Sequence, residues 1–223
     1  MSTVLEPPQT AWEPTPAELT LGDLVEKFGP IPLSRIRMSP FPGTATEDDA
    51  VAIQDRENRS CELIDGILVE KTVGMFESHL AVLIGSLLSE FVRSRGLGAV
   101  FGADGMMKLS PGLIRIPDVS YVSNERLSKV RIVPQGPLVP LVPNFAVEVL
   151  SRGNTQKEMQ DKLEDFFQAG VELVWYVDTR KESVAVYTAV DQMNLIKSPA
   201  VLDGGTVLPG FSIELKTLFA PVV

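Results

Sequence analysis

The sequence predicts an α/β protein built on a mixed β-sheet with helices packed against it. Two short apolar segments predict buried strands, NFAVEVLS at 144–151 and VELVWYVD at 171–178. Between them, QKEMQDKLEDFFQAG at 156–170 has the apolar spacing of a helix, which makes a strand-helix-strand crossover. MFESHLAVLIGSLLSEFV at 75–92 predicts a longer helix, since its apolar residues recur at i, i+4 and i+7.

The remaining elements follow in chain order. LGDLVEKFG at 21–29 predicts one or two helical turns, and EDDAVAIQDREN at 47–58 predicts a short helix that opens on acids. CELIDGILVEK predicts a hairpin, because Asp65-Gly66 supplies the positive φ angles of a tight turn. We expect the other strands at AVFGADGMMKL, IRIPDVSYV and SVAVYTAV, and a last turn, strand and short helix in GGTVLPGFSIELKTLF.

The length and composition predict one folded domain with an appendage. A chain of 223 residues can bury a sizeable core. We place a Pro-rich, acidic and partly disordered extension at 1–46, with a mobile tail at 1–20, and the folded domain at 47–223. No apolar run approaches the roughly 20 residues of a membrane span, and no signal segment opens the chain, so we expect a cytoplasmic protein without membrane contact. Cys61 is the sole cysteine, which excludes an internal disulfide and predicts a buried, reduced thiol.

The net charge of -9 argues against a protein that coats nucleic acid by bulk electrostatics. The acidic excess is uneven, however. Residues 1–50 hold eight acids and three bases, a net of -5, which leaves -4 for the rest of the chain. Weak or transient contact with DNA is compatible with that distribution.

Two acids stand in the middle of predicted buried strands. Asp118 lies in RIPDVSYV, on one face with Ile114, Ile116, Ser120 and Val122, and Glu148 lies in NFAVEVLS, on one face with Ala146 and Leu150. A buried carboxylate is costly unless it is paired or holds a metal. The alternative for each is an exposed strand end or a structural ion pair. The 30 positions between them are enough to close a loop and pair the two strands.

A lysine borders the same region. At about 100° per residue, Lys162 lies roughly 40° from Phe166 on the apolar stripe of its helix; it can also snorkel to solvent with its stem buried. Together, Asp118, Glu148 and Lys162 predict a metal-dependent hydrolytic site. Two carboxylates suit Mg²⁺ or Mn²⁺, and Lys162 would orient the water or stabilise charge on a phosphate. Phosphodiester hydrolysis is the reaction that such a set serves best.

Two further residues are secondary candidates. His79 is the single histidine and stands at the start of the long helix, where a surface or capping role is the alternative. Glu62 lies on the first hairpin strand, where it is either solvated or a further acid of the cleft. The sequence has no P-loop, no GxSxG, no HExxH and no CxxC, which excludes several other enzyme classes.

As a set, ELIDGILVE, the histidine, RIPDVSYV, FAVEVLS, DKLEDFFQAGVELVWYVD and VLPGF resemble the Uma-two-type restriction endonucleases, a branch of the PD-(D/E)XK nuclease superfamily. The resemblance covers roughly residues 47–219. It implies a restriction-endonuclease-like core, with Asp118 and Glu148 as the metal-binding acids. The superfamily lysine normally stands two residues after the second acid, where this chain has Leu150, so its counterpart here is Lys162 on the following helix. Glu62 and His79 match recurrent family positions.

These observations leave three hypotheses. The first is a Mg²⁺- or Mn²⁺-dependent DNA endonuclease with Asp118 and Glu148 as ligands, Lys162 assisting, and Glu62 and His79 peripheral. The second is a catalytically silent nuclease-like module that binds nucleic acid or a partner protein, suggested by the acidic balance and by Leu150. The third is a homodimer in which the long helix or an edge strand packs against its twin.

Overall fold

The computed structural model describes residues 19–72, 74–130 and 136–221. The five helices expected from the sequence, including the short one near the end of the chain, are present in these ranges. The helices are α1 Leu21–Phe28, α2 Glu47–Glu57, α3 Met75–Arg95, α4 Asn124–Leu127, α5 Gln156–Ala169 and α6 Leu215–Leu218. The strands are β1 Cys61–Ile64, β2 Ile67–Glu70, β3 Gly98–Gly102, β4 Met106–Ser110, β5 Leu113–Arg115, β6 Val119–Ser123, β7 Leu138–Val139, β8 Phe145–Leu150, β9 Leu173–Asp178, β10 Ser183–Ala189, β11 Gln192–Lys197, β12 Val201–Gly204 and β13 Leu208–Glu214.

A six-stranded mixed sheet forms the centre of the molecule, in the order β11-β10-β9-β8-β6-β3. β8 and β9 run parallel and are joined through α5, as the crossover pattern predicts. The other neighbouring strands in this sheet pair antiparallel. A five-stranded sheet, β2-β1-β5-β4-β7, and a two-stranded sheet, β12-β13, complete the fold. The predicted α/β class with a mixed central sheet flanked by helices is confirmed.

Helices cover both faces of the central sheet. The first face packs against α3, where Leu80, Ile84 and Leu88 meet the odd-numbered residues of β8. The second face packs against α5, where Leu163 and Phe166 share a cluster with Ala146. Side chains alternate along a strand, so Glu148 is directed to the α5 side. The sheet therefore delivers this acid to the helix that carries Lys162.

The predicted β1-β2 hairpin is present. Asp65 has φ 49° and Gly66 has φ 71°, the left-handed pair that its turn requires. A Cβ atom on Gly66 would stand 2.6 Å from the backbone of Gly43. The turn therefore needs glycine for its φ angle and for the close approach of residue 43.

Two predicted strands are each split in two. AVFGADGMMKL divides into β3 and β4, which belong to different sheets. IRIPDVSYV divides into β5 and β6, because Pro117 has no N–H to donate to a ladder. Asp118 therefore lies one residue before β6, rather than in the middle of a long strand. β7, β11 and β12 were not predicted; β11 is largely exposed, and β12 alternates exposed and buried residues.

The N-terminal region is packed where the structure describes it. Thr20 caps α1 through a reciprocal hydrogen-bond pair with Asp23, and Leu24 and Phe28 pack against Ile67 and Val69 of β2. Residues 1–18 of the predicted mobile tail lie outside the described residues. Residues 19–46 are thus joined to the hairpin by an apolar cluster.

The long helix α3 has the length of a membrane-spanning helix. Its 21 residues are apolar enough, by length and composition alone, to cross a bilayer. In the fold, Leu80, Ile84, Leu88 and Val92 are buried in the domain core. The core helix of a globular domain passes the same test of length and composition, so the test alone does not indicate a membrane span.

The core role of α3 predicts a stability difference within one helix. Ile84→Ala should lower the free energy of unfolding by about 2–5 kcal/mol, because a buried side chain leaves a cavity. Val82→Ala, two residues away on the exposed side, should change it by less than about 0.5 kcal/mol. Urea denaturation measures both. Equal losses would contradict the orientation of α3.

Candidate active site

Asp118 and Glu148 converge at the junction of β6 and β8. These strands pair antiparallel with Val119 opposite Val147, which sets Asp118 beside Glu148. Two hydrogen bonds extend the ladder: the Asp118 N–H donates to the Val147 carbonyl at 3.0 Å, and Asp118 Oδ2 accepts from the Val149 N–H at 2.7 Å. Both acids line one small cavity. The predicted meeting of the two carboxylates is therefore present.

The predicted neighbours of Asp118 need correction. Ile114 lies on β5 in the five-stranded sheet, and Ile116 packs in a separate apolar cluster. Asp118 does not share a continuous strand face with them, since the strand breaks at Pro117. For Glu148 the prediction holds, because Ala146 and Leu150 both contact the cluster beneath α5.

Lys162 is the centre of a buried ion cluster. Its Nζ lies 2.7 Å from Glu148 Oε1 and 2.7 Å from Glu62 Oε1. The lysine side chain is 6% exposed, so it does not snorkel to solvent. Its helix starts at a capping box between Thr155 and Glu158, which fixes where the first turns of α5 stand. Lys162 therefore contacts Glu148, one of the two predicted strand acids, while Asp118 pairs with a different lysine.

Glu62 is buried and belongs to the same cluster. Its Oε1 also accepts from the Ile116 N–H at 3.0 Å, and its Oε2 pairs with Arg115 at 2.8 Å. Arg115, 2% exposed, reaches Asp165 of α5 with its other nitrogens. The prediction of a solvated strand residue is thus excluded, and Glu62 lines the small cavity. Arg115, which was not a candidate, holds it there.

Lys71 is a further cation that was not predicted. Its Nζ lies 2.7 Å from Asp118 Oδ1, and its side chain is 9% exposed. Lys71 directly follows the end of β2, outside any helix or strand and outside any apolar periodicity. Its role is created by tertiary contact, so no sequence pattern indicates it.

His79 is placed apart from this cluster. Its side chain is exposed near the start of α3 and stacks on Phe76, with 6.4 Å between ring centroids. It lines neither the small cavity nor the larger cleft described below. The structure brings Asp118, Glu148, Lys162 and Glu62 together and leaves His79 outside; its catalytic role stays a prediction.

The protonation states follow from burial and pairing. Burial raises the pKa of Glu148 to about 7, because the Lys162 charge only partly offsets the loss of water and Asp118 adds repulsion. Burial would also raise the pKa of Glu62, but the charges of Lys162 and Arg115 outweigh the effect of burial. They hold the pKa of Glu62 well below its usual range. Burial opposes the charge of Lys162, and the two glutamates more than restore it, so its pKa is raised. At neutral pH, Lys162 is an ammonium and Glu62 is ionised.

Two cavities adjoin the acids. The small one, about 20 Å³, is lined by residues that include both acids and both lysines: Arg35, Glu62, Lys71, Thr72, Asp118, Glu148, Val149, Asn154, Glu158 and Lys162. A larger cleft of about 800 Å³ runs along α3 from Glu77 to Ser94 and is bounded by Val100–Ala103. Thr72, Asp118 and Val149 border both. Asp118 thus stands between an open cleft and a closed charge cluster.

The donor set fits a hard divalent cation. The carboxylates of Asp118 and Glu148 line one cavity. One oxygen of each lies 2.7 Å from a lysine ammonium, so each acid already has a positive charge beside it. Mg²⁺ or Mn²⁺ is bound through one or two carboxylates with water and substrate oxygens completing the shell. Among the described residues no group of three or more His, Cys, Asp or Glu is placed to hold a metal. Asp118 and Glu148 are therefore the residues that would hold one.

Comparison with known proteins assigns a family. The profile of the Uma2 family, described as Putative restriction endonuclease, matches residues 47–216. The chain belongs to the Uma2 family. The Uma2 segment contains Glu62, Asp118, Glu148 and Lys162, and it excludes the N-terminal region that contributes Arg35. The predicted family resemblance is confirmed.

A solved structure shows the same fold. A putative nuclease belonging to DUF820 from Anabaena variabilis superposes with a TM-score of 0.62 at 18% sequence identity, over 72% of this chain and 89% of that chain. At this identity the likeness concerns the fold of the Uma2 chain. No curated protein sequence matches.

The ion cluster predicts a large loss of stability on removal of one partner. Glu62→Ala should lower the free energy of unfolding by about 3–5 kcal/mol, because Lys162 and Arg115 would keep buried charges without their shared carboxylate. Glu125→Ala, in an exposed pair with Lys129, should cost less than about 1 kcal/mol. Urea denaturation compares them, and a loss below 1 kcal/mol for Glu62→Ala would contradict the burial of the cluster.

Glu148 predicts a dependence of stability on pH. The pKa of Glu148 is about 7 in the folded protein and 4.5 for a glutamate in water. The folded state therefore keeps this proton to a higher pH than the unfolded chain does. The free energy of unfolding should therefore fall as the pH rises from about 4.5 to about 7, by up to roughly 3 kcal/mol.

Glu148→Gln should remove that fall. Denaturation with chelator present, at pH 5, 6, 7 and 8, gives the wild-type-minus-variant difference, and Glu125→Gln serves as the control. A difference that does not change with pH across this window would show that burial does not raise the pKa of Glu148.

Proposed function

We propose that the protein is a divalent-metal-dependent nuclease that hydrolyses phosphodiester bonds in DNA, with Mg²⁺ or Mn²⁺ held by Asp118 and Glu148. The observation that carries the proposal is the junction of β6 and β8, where the two acids meet beside Lys162 at the inner edge of a cleft. Membership in the Uma2 family and the nuclease-like fold support it.

Each residue of the cluster has a distinct part in the proposed chemistry. A cation bound there would lower the pKa of a water and polarise a phosphoryl oxygen. The Glu148 carboxylate forms an ion pair with the Lys162 ammonium. Glu62 forms a second ion pair with the same ammonium and so fixes its position. Because its pKa is raised, Lys162 remains a proton donor and a positive charge, and it does not take a proton from water. It assists by orienting oxygens and by offsetting negative charge.

The cleft is the route by which a phosphate would reach Asp118. It follows one face of α3, where Ser78, Gly85, Ser86 and Ser89 are small and Gly85 lies against Val119. Its lining includes Glu77, Glu90 and Asp118 against the single cation Arg93, within the residues that the structure describes. Strong binding of duplex DNA draws on many phosphate contacts from Lys and Arg. The proposed enzyme therefore binds its substrate weakly and transiently.

A silent binding module is the competing function. One observation favours it: both acids already have lysine partners, so the cluster is internally neutralised without a cation. Calorimetric titration with Mn²⁺ separates the two. A silent module takes up no metal, whereas the proposed nuclease binds it and loses that binding with Asp118→Ala.

A homodimer in the cytoplasm completes the proposal. β11 is an edge strand of the central sheet, and its side chains Met193 and Leu195 are exposed. An exposed edge strand with apolar side chains is a template for pairing with a second copy. Light scattering that gives twice 24.3 kDa would support the dimer, and a monomer mass would remove it.

Asp118→Ala should abolish cleavage. Incubation of the purified protein with plasmid and short oligonucleotide DNA, with Mg²⁺ or Mn²⁺, should give products, and the variant rate should fall on the order of 10³-fold or more, because one of two carboxylates for the cation is lost. The matched control is Asp161→Ala, an acid of α5 that pairs with the exposed Lys157 and lies outside both cavities described here. It should retain wild-type activity.

Chelation supplies the second arm of this test. Cleavage by the wild type should stop with EDTA and return with added Mn²⁺. Activity that survives Asp118→Ala, or that needs no metal, would overturn the assignment.

A further inference from the structure

Each acid of the candidate site has its own lysine. Asp118 pairs with Lys71 and Glu148 pairs with Lys162, each at 2.7 Å. The second oxygen of Asp118 is held by the Val149 N–H. The oxygen that faces Lys71 is therefore the one that a cation shared with Glu148 would have to contact.

The space between these groups is too small for a hydrated cation. The cavity measures about 20 Å³, which is room for roughly one water molecule. Mg²⁺ binds at about 2.0–2.1 Å to its ligands and keeps several waters. A cation can therefore reach both acids only if one lysine ammonium moves away.

Lys162 is the lysine that stays. It contacts two carboxylates rather than one, and it lies in the middle of α5 between the buried residues Met159 and Phe166. Displacing it would leave Glu62 and Glu148 both without their shared cation, deep in the protein. That loss is of the kind that is strongly destabilising for a buried pair.

Lys71 is the lysine that can leave. Within the part of the chain that the structure describes, Asp118 is its one carboxylate partner, and it stands between the end of β2 at Glu70 and the start of α3 at Met75. Its neighbour Thr72 borders the large cleft, as Asp118 does. A rotation of the lysine side chain away from Asp118 therefore leads to the cleft where a substrate phosphate would lie.

We propose that Lys71 and the divalent cation exchange at Asp118, and that the displaced Lys71 ammonium then binds the phosphate in the cleft. The inference rests on the proposed nuclease function. The exchange keeps every charge paired. Asp118 binds the metal ion in place of the Lys71 ammonium, and the ammonium binds a phosphate oxygen in place of the Asp118 carboxylate. A lysine is a compact point charge with a flexible stem, which suits it to binding an anion in two positions.

The metal arm of the test uses Lys71→Met in the full chain. Without the competing ammonium, Mn²⁺ titrated into the metal-free variant should bind about tenfold more tightly than to the wild type, as measured by calorimetry. The metal-free variant should also melt at lower temperature and gain more from Mn²⁺, because a tighter ligand stabilises the fold more. Lys108→Met is the matched control: Lys108 pairs with Glu47, away from both acids, and its affinity for Mn²⁺ should equal the wild type's.

The substrate arm uses the same variant. With saturating Mn²⁺, kcat/KM for DNA should fall about 10²-fold in Lys71→Met, the size expected for loss of one charged contact to the reacting group. Lys71→Arg should recover part of it, since the guanidinium keeps the charge. A structural role alone would lower metal affinity and activity together, whereas the exchange raises the first and lowers the second.

The outcomes separate this inference from the proposed function. Mn²⁺ binding to Lys71→Met that is no tighter than to the wild type overturns the exchange, even if DNA cleavage depends on Asp118. Tighter binding in a protein that cleaves no DNA upholds the exchange and overturns the nuclease. Lys71→Gln, which keeps a polar side chain, gives the same Mn²⁺ comparison should the methionine variant fail to fold.

Discussion

A single ammonium group, that of Lys162, holds together the parts of the candidate site. Glu62 reaches it from the five-stranded sheet and Glu148 reaches it from the six-stranded sheet, while the lysine itself comes from the helix between β8 and β9. The distant strand β1 and the consecutive elements β8 and α5 therefore share one buried point of contact. The position of α5 against both sheets, and with it the spacing of the two strand acids, depends on this contact.

The ion cluster is better explained by its effect on the positions of the acids than by a contribution to the stability of the fold. Ionised groups lose their hydration on burial, and well-packed apolar side chains of similar size can be equally stabilising or more so. Here the lost hydration is replaced by a chain of partners that runs from Asp165 through Arg115 and Glu62 to Lys162. Glu62 also accepts from the Ile116 N–H, which fixes its carboxylate plane next to Pro117 and Asp118. This series of ion pairs therefore restricts where Glu62 and Lys162 can lie, and through Lys162 it restricts the position of Glu148 relative to Asp118.

The same pairing divides the proton chemistry among the charged groups. Glu62 has two cations and is held ionised, whereas Glu148 shares one cation and faces Asp118, so that burial raises its pKa to about 7. Within the cluster, Glu148 is therefore the glutamate whose carboxyl keeps its proton to higher pH. The pKa values of these two glutamates on the same lysine differ because Arg115 and the Ile116 N–H stabilise the Glu62 carboxylate, whereas Asp118 repels that of Glu148.

The sequence predicted the acids and the helix lysine because local patterns determine them. Glu148 stands in a strand whose period of two fixes its face, and Lys162 stands beside an apolar helical stripe. The predicted position of Asp118 was right in space and wrong in local structure, since one proline ended the ladder before it. Lys71 and Arg115 had no such signal, because Lys71 lies outside any helix or strand and Arg115 is paired with a neighbouring strand and with α5. Exposed strands such as β11 lack an apolar alternation, so their pairing depends on neighbours rather than on pattern.

The N-terminal region also contributes to the site, although the Uma2 match begins at residue 47. Arg35, buried, forms a two-pronged pair with Glu158, at 2.6 and 3.1 Å, and donates to the carbonyl of Glu70 at 2.9 Å. Glu158 closes the capping box of α5, and Glu70 is the residue before Lys71. One guanidinium therefore links the start of the helix that carries Lys162 to the end of the strand that precedes Lys71. Arg35 thus contacts the elements that position both lysines. The contacts that position the site therefore include the region before residue 47, where the family match begins.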